Sequence, residues 1–382
     1  MRVLLLLSSL LVGSQALLLP KSNGPYGVTQ RTHLMTDNNR LDPYSPNQEK
    51  RHILASIYWP VDADSCSKER APYMPPATAE AYGARASAMG LSNDTFSTLE
   101  MEFCKVSKSL SACKNNEKPK FPVAVFSPGA GNSRLLQSAM ARALSSYGHV
   151  VVLIDHPCDA DIVEFPDGTI IPAADIPEDT ANLEKATRVR AKDISFLVSE
   201  LHRPSFKRNV LGGLPGKMDT NKITALGHSM GGASAAGAML LDPRIRGGMN
   251  LDGRFFDPVL SQGLDKPFMM LGRPNHRTED TTWAKFWTKL QGPKLELQIS
   301  GTAHGSYTDV PLLLNALGLP KEALKATEPM FGSVDGKALQ DTISKTLSAF
   351  MAYSVGGARA PLLKTIDKAR GVSIVKKQLP TN

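Results

Sequence analysis

Ser229 lies in the stretch of this chain best suited to chemistry, Leu226-Gly227-His228-Ser229-Met230-Gly231-Gly232. A serine at Gly-x-Ser-x-Gly spacing makes a tight strand-to-helix turn that pushes its hydroxyl out at the end of a sheet. Gly227 and Gly231 fit that turn because a Cβ at either place would collide with the neighbouring strand or helix. The flanks agree. Residues 222–226, Lys-Ile-Thr-Ala-Leu, are short, apolar and partly β-branched, which predicts a buried strand. Residues 233–241 are Ala-rich and predict a helix, whose N-terminus favours negative charge beside the serine.

A serine hydroxyl is a weak nucleophile until a base lies within hydrogen-bond reach and a carboxylate orients that base. In chains built around this turn the order is serine, acid, histidine. Only His276 and His304 follow the turn. His304, in Ser300-Gly301-Thr302-Ala303-His304-Gly305-Ser306, comes directly after a strand predicted at 295–299. It therefore sits at the carboxyl edge of the sheet, where ligands bind in such folds. His304 is the expected base. His276, in the polar loop Pro274-Asn275-His276-Arg277, is the alternative, expected otherwise to touch only substrate affinity. Asp252, immediately after a strand at 248–251 and beside Gly253, is the expected acid, with Glu279 and Asp280 as competitors. Negative charge developing on the substrate oxygen needs two backbone N–H donors. The expected pair is Met230, which follows the nucleophile, and Ala130 in Ser127-Pro128-Gly129-Ala130-Gly131-Asn132.

The elements that must position these groups are legible as alternation. Strands are predicted at 31–36 and 53–59, then at 122–127, 150–155, 222–227, 248–251, 268–271 and 295–299. Helical patterns run over 133–147, 179–201 and 338–353. The run Val150-Val151-Val152-Leu153-Ile154 reads as a parallel strand buried on both faces. Strand and helix in turn imply an α/β fold with a mostly parallel central sheet covered on both sides. Residues 64–118 form a polar insertion with helices expected at 77–89 and 95–108.

The chain has 382 residues, of which 42% are hydrophobic and 21% charged, an ordinary globular composition. A single catalytic domain is expected over 17–355. Residues 1–16, with Arg2 ahead of an apolar core and Ser14-Gln15-Ala16 at its end, read as a secretory signal peptide; the protein is expected to be secreted and extracellular. Cys66, Cys104 and Cys113 lie in the insertion and Cys158 outside it. One bridge is expected within the insertion, with the pairing open. Asn93-Asp94-Thr95 is a glycosylation sequon. The net charge is +8. Much of it falls in 356–382, where Arg359, Lys364, Lys368, Arg370, Lys376 and Lys377 face only Asp367. That stretch reads as a basic tail, solvated or in contact with an anionic membrane or cell wall.

Several of these stretches resemble one family. Gly227-His228-Ser229-Met230-Gly231-Gly232, Leu251-Asp252 and Gly301-Thr302-Ala303-His304 resemble the plasma-type platelet-activating-factor acetylhydrolases, a branch of the α/β-hydrolases. Phe126-Ser127-Pro128-Gly129-Ala130-Gly131 resembles the family's oxyanion loop, with Pro128 where mammalian members have His. Ile154-Asp155-His156-Pro157 and the run from Asp161 to Gly168 look like secreted fungal or bacterial members. The resemblance spans roughly 24–355. It implies an α/β-hydrolase fold, an acid at Asp252 and a calcium-independent esterase removing short or oxidised acyl chains from lipids.

The residues also leave other readings open: a secreted esterase acting on small soluble, plant-derived or polyester substrates, or a catalytically silent binding protein on the same fold. No cofactor or metal is expected. Asp159, Asp161 and Glu164 cluster in one short loop, which is more often solvated than metal-binding. No basic stripe interleaved with aromatics points to nucleic acid. The expected partner is a small-molecule or lipid ester.

Overall fold

Runs of β-branched and aliphatic residues build the centre of this computed structural model, which describes residues 16–112 and 119–380. Residues 1–15 of the expected signal peptide and Cys113 lie outside the described residues. Among the described residues the central sheet has nine strands. In chain order they are β1 (Tyr26–Leu41), β2 (Lys50–Asp62), β3 (Lys120–Ser127), β4 (Val150–Asp155), β5 (Lys217–His228), β6 (Ile245–Leu251), β7 (Phe268–Gly272), β8 (Lys294–Ile299) and β9 (Val372–Gln378). Their spatial order is β9-β8-β7-β6-β5-β3-β4-β2-β1. Strands β3 to β8 pair in parallel. The hairpin β1–β2 at one side and β9 at the other run antiparallel.

Both faces of the sheet are covered at its centre, which is why β4 is apolar without interruption from Val150 to Ile154. The helices that matter for the site are α1 (Pro76–Ala88), α2 (Ser138–Ser145), α3 (Thr180–His202), α4 (Met230–Leu241), α5 (Gly336–Ser354) and α6 (Arg359–Lys368). Val151 and Leu153 of β4 pack with Met140 and Leu144 of α2 and with Leu347 and Phe350 of α5. Val150, Val152 and Ile154 point the other way, into a core with Ile194, Leu197 and Val198 of α3 and Ala235 and Met239 of α4. Each fully buried aliphatic side chain of this kind contributes roughly 1.5–3 kcal/mol. A mostly parallel sheet covered on both faces is what the strand–helix alternation implies, and the topology is the α/β-hydrolase one that the resemblance implies.

The order of strands also sets where a site can form. The chain runs from β3 outward to β4, then crosses back over β3 to β5. Crevices in open parallel sheets form at the carboxyl ends of strands where the winding reverses. Ser127 of β3 is in register with Gly227 of β5, and His228 is in register with Leu251 of β6. Ser229, Asp252 and the loop after Ser127 therefore leave the sheet at one edge.

Two expectations are corrected. The helix expected at 95–108 is instead a strand, Leu99–Cys104, in a three-stranded sheet with Lys68–Pro72 and Leu17–Leu18. Leu99, Met101 and Phe103 are buried while Glu100 and Glu102 are half-buried, so the period-two pattern overrides the helix propensity of Leu, Met and Glu. The other insertion helix, expected at 77–89, is α1. Within the expected basic tail, residues 356–380 hold a helix and a strand. Leu362 and Ile366 of α6 are buried in the core. Strand β9 adds β-branched residues to the open edge of β8, with Lys376 opposite Glu296. Its cations are mounted on ordered structure at the rim.

Cys66 and Cys104 form a disulfide across 38 residues of sequence, within the insertion as expected. A cross-link closing a loop of that size is worth roughly 3–4 kcal/mol, chiefly by restricting the unfolded chain. Cys158 is buried and unbridged. Asn93 is exposed.

Candidate active site

The turn between β5 and α4 holds Ser229 at φ 55°, ψ −129°, a conformation that L-residues rarely adopt. The surroundings enforce it. A Cβ on Gly227 would lie 2.5 Å from the Ser127 carbonyl oxygen and 2.3 Å from the Gly231 carbonyl carbon; one on Gly231 would lie 2.0 Å from the Ser127 oxygen. These are backbone atoms that cannot swing aside, so both glycines are obligatory for β3, β5 and α4 to approach this closely.

Around that turn the fold gathers the three side chains expected from the sequence. The Ser229 hydroxyl lies 3.0 Å from His304 Nε2, and His304 Nδ1–H donates to Asp252 Oδ2 over 2.7 Å. His304 is mounted on a turn, His304–Tyr307, just beyond β8. Its side chain is 50% exposed, whereas Asp252 is wholly buried. The site is thus open to a substrate on one side and anchored on the other.

Asp252 is held by more than His304. His276 Nδ1 lies 2.8 Å from its other oxygen, the Arg273 N–H donates to that oxygen over 2.9 Å, and Arg273 Nη1 donates to Oδ2 over 2.8 Å. Burial alone would push this carboxyl up. The hydrogen bonds from His276 and His304, with the Arg273 N–H, outweigh it and keep the carboxyl well below the usual carboxylate range. Neither competitor acid reaches His304. Glu279 pairs with Arg273 Nη2 at 2.6 Å. Asp280 caps the helix Thr281–Lys289 and lies 3.5 Å from His276 Nε2. His276 thus meets Asp252 rather than Ser229, and braces the carboxylate.

The bracing carries a pH signature. Burial pushes His276 down, but Asp252 and Asp280 more than compensate, so its pKa is raised above the ordinary value. As pH rises past about 6.5 the unfolded chain loses this proton while the folded one keeps it. The stability contributed by protonated His276 is thus full below that pH and lost above it. Thermal melting followed from pH 6 to 8.5 should show this decline, and His276→Gln should flatten it. An unchanged slope in the variant would assign the decline to other groups.

His228, next to the nucleophile, was visible in the sequence but had no evident task. It is buried, and its Nε2–H donates to the His304 carbonyl over 2.9 Å. Its ring lies against the His304 ring at 4.7 Å between centroids. Burial, reinforced by His304, pushes its pKa down to about 3, so it stays neutral and keeps that donor in place.

The loop after β3 runs beside the nucleophile: a Cβ on Gly129 would lie 3.4 Å from Ser229 Cβ. Ala130 is exposed there, and Met230 is the first residue of α4. N–H groups in the first turn of a helix have no partner within it. Beneath the loop, Ser127 Oγ–H donates to His156 Nε2 at 2.8 Å and His156 Nδ1–H donates to Asp193 Oδ2 at 2.8 Å. Ser127, His156 and Asp193 are all 0% exposed. This chain has the connectivity of the surface constellation, yet no substrate can reach it. Burial pushes His156 down, consistent with a neutral ring that joins strand, loop and helix.

The acidic loop is spent on protein partners. Asp159 pairs with Arg190 and Asp161 with Arg85, while Glu164 accepts from the Thr78 N–H at the start of α1. Among the described residues no group of His, Cys, Asp and Glu is arranged to hold a metal ion.

Comparison with known proteins adds the family. The family described as platelet-activating factor acetylhydrolase, isoform II, matches residues 11–356. A probable 1-alkyl-2-acetylglycerophosphocholine esterase of Arthroderma benhamiae is 28% identical over 365 residues, covering 91% of this chain and 90% of that protein. The platelet-activating factor acetylhydrolase of Cavia porcellus is 25% identical, over 88% of this chain and 78% of the relative. Among solved structures, a ferulic acid esterase from Streptomyces cinnamoneus superposes with a TM-score of 0.75 at 27% identity, over 94% of this chain and all of that one. A carboxylic ester hydrolase on this fold, with a serine, a histidine and a buried aspartate meeting at one sheet edge, the chain belongs to the platelet-activating factor acetylhydrolase, isoform II, family.

Proposed function

We propose that the protein hydrolyses carboxylic esters through an acyl-enzyme on Ser229, with His304 as general base and acid and Asp252 as the group that orients it. The observation that carries this is the continuous line from Ser229 Oγ through both nitrogens of His304 to Asp252, at 3.0 and 2.7 Å. As Ser229 Oγ attacks the ester carbonyl, its proton passes to His304 Nε2. The imidazolium is stabilised by the Asp252 carboxylate. The N–H groups of Met230 and Ala130 receive the oxyanion. Collapse of the tetrahedral intermediate breaks the bond to the alcohol, which takes the proton from His304. Water then repeats the sequence with His304 as its base, and releases the acid and free Ser229.

The substrate we favour is a short or oxidised acyl ester at the second position of a glycerophospholipid; the name of the Arthroderma benhamiae relative, a probable 1-alkyl-2-acetylglycerophosphocholine esterase, supports the short-chain case. A plant-derived aromatic ester is the second reading, favoured by the ferulic acid esterase, all of which is covered in the superposition. The leader sequence and the Cys66–Cys104 bridge support secretion into an oxidising compartment. The test is kcat/KM on a phospholipid with acetyl at its second position, beside methyl ferulate and nitrophenyl esters from acetate to decanoate. The phospholipid and short nitrophenyl esters should exceed methyl ferulate by tenfold or more, about 1.4 kcal/mol in the barrier. Preference for methyl ferulate would establish the second reading, and turnover of none of these would refute the esterase assignment.

A further inference from the structure

Arg190, on α3, is 1% exposed and spends its guanidinium on the loop beside Ser229. Nη1 donates to the Pro128 carbonyl over 2.6 Å and Nη2 to the Gly129 carbonyl over 3.1 Å. Its remaining edge is locked by Asp159, which accepts from Nε at 2.7 Å and from Nη2. A buried arginine facing two successive peptide carbonyls has a geometric consequence. In a trans peptide the C=O and the following N–H point in opposite directions. Pinning the Gly129 carbonyl inward therefore turns the Ala130 N–H outward, where Ala130 is exposed and Gly129 runs beside Ser229 Cβ. The Pro128 carbonyl fixes the preceding plane in the same way. The Asn132 N–H, donating to the Gly129 oxygen over 3.2 Å, closes the turn around that carbonyl.

We infer that Arg190, locked by Asp159, is a positioning residue for the oxyanion site: it sets the direction of the Ala130 N–H and polarises the amide that carries it. This inference rests on the proposed Ser229 chemistry. Donors for a developing oxyanion act only when held in place before the charge forms. A cationic donor on the carbonyl side of an amide draws electron density away from its N–H and makes that N–H a stronger donor. Lysine cannot replace this arrangement, because a point charge lacks the planar fork that reaches two carbonyls and a carboxylate together. The role is also separate from the Ser229–His304–Asp252 line, which Arg190 does not touch.

The experiment compares wild type with Arg190→Lys and Asp159→Asn. Sites are counted by labelling Ser229 with a fluorophosphonate, so that rates refer only to folded, competent enzyme. Nitrophenyl acetate and nitrophenyl thionoacetate are the paired substrates, because sulfur accepts hydrogen bonds poorly and gains little from an oxyanion site. Arg190→Lys is expected to lower kcat per labelled site on the oxygen ester by roughly 10- to 100-fold, short of the 10²- to 10³-fold loss of a whole donor. KM should change less than threefold, and the oxygen-to-sulfur rate ratio should fall in step with kcat. Asp159→Asn, which keeps the shape but loosens the lock, should shift the ratio in the same direction by less, and it decides the matter if Arg190→Lys yields no labelled protein. A ratio equal to wild type in the folded variants would overturn the inference. Should the wild type itself carry no label on Ser229, the serine mechanism falls instead, so the two failures are distinguishable.

Discussion

Ser229→Ala should lower ester hydrolysis by on the order of 10⁵- to 10⁶-fold in kcat while leaving a folded protein. Removing the nucleophile of a serine hydrolase removes the covalent route entirely, and only binding and the oxyanion donors remain to catalyse. The loss should not be a folding defect. Ser229 Oγ faces His304 from a half-buried position, and the strained turn is imposed by the packing of Gly227 and Gly231 against Ser127, which the substitution leaves in place. The measurement is kcat on a short nitrophenyl ester together with a thermal melt. A fluorophosphonate should label the wild type at Ser229 and the variant nowhere. Substantial residual turnover, or a label at another serine, would remove Ser229 from the centre of the mechanism. Ser127 is the informative comparison. It too bonds a histidine that bonds an aspartate, but it is sealed from solvent and should stay unlabelled.

Asp252→Asn should cost about 10⁴-fold in kcat, the effect of the same exchange in a serine protease triad. An asparagine can offer its oxygen either to His304 and the Arg273 guanidinium or to the Arg273 backbone N–H and His276 on the other side, but not to both. In one orientation its amide N–H groups face the Arg273 N–H and His276. In the other they face His304 Nδ1, which must then carry the lone pair and leave Nε2 protonated, unable to accept from Ser229. Glu279→Gln and Asp280→Asn should have far smaller effects, because these carboxylates pair with Arg273 and His276 rather than with His304. His276→Ala should fall between the two classes and lower kcat rather than affinity, because His276 bonds the carboxylate that orients the base. Steady-state kinetics of the four variants order them. A mild Asp252→Asn beside a damaging Asp280→Asn would move the acid to the later loop.

What the linear chain determined is local and periodic. The strand–glycine–serine–glycine–helix run around Ser229 predicts its own geometry, because only a tight turn reconciles a buried strand with an Ala-rich helix across so few residues. The proposed acid and base follow from the same logic, since Asp252 and His304 each come at or just after the carboxyl end of a short apolar strand, and parallel strands bring such ends together. Tertiary structure decided everything that depends on a partner distant in sequence. Nothing near Arg273 or His276 marks them as the supports of Asp252, and nothing in the amphipathic run of α3 distinguishes Arg190, which meets Pro128 and Gly129 only across the layer. The segment Leu99–Cys104 carries helix-forming residues, yet pairing with Lys68–Pro72 and burial of alternate side chains made it a strand. Val372–Gln378, at the end of the basic C-terminal stretch, likewise became strand β9 because β8 offered an open row of backbone donors and acceptors. Propensity and spacing act over a few residues. The choice among partners for a strand edge, a carboxylate or a guanidinium is made by burial, when unpaired polar groups become costly and only the folded chain can satisfy them.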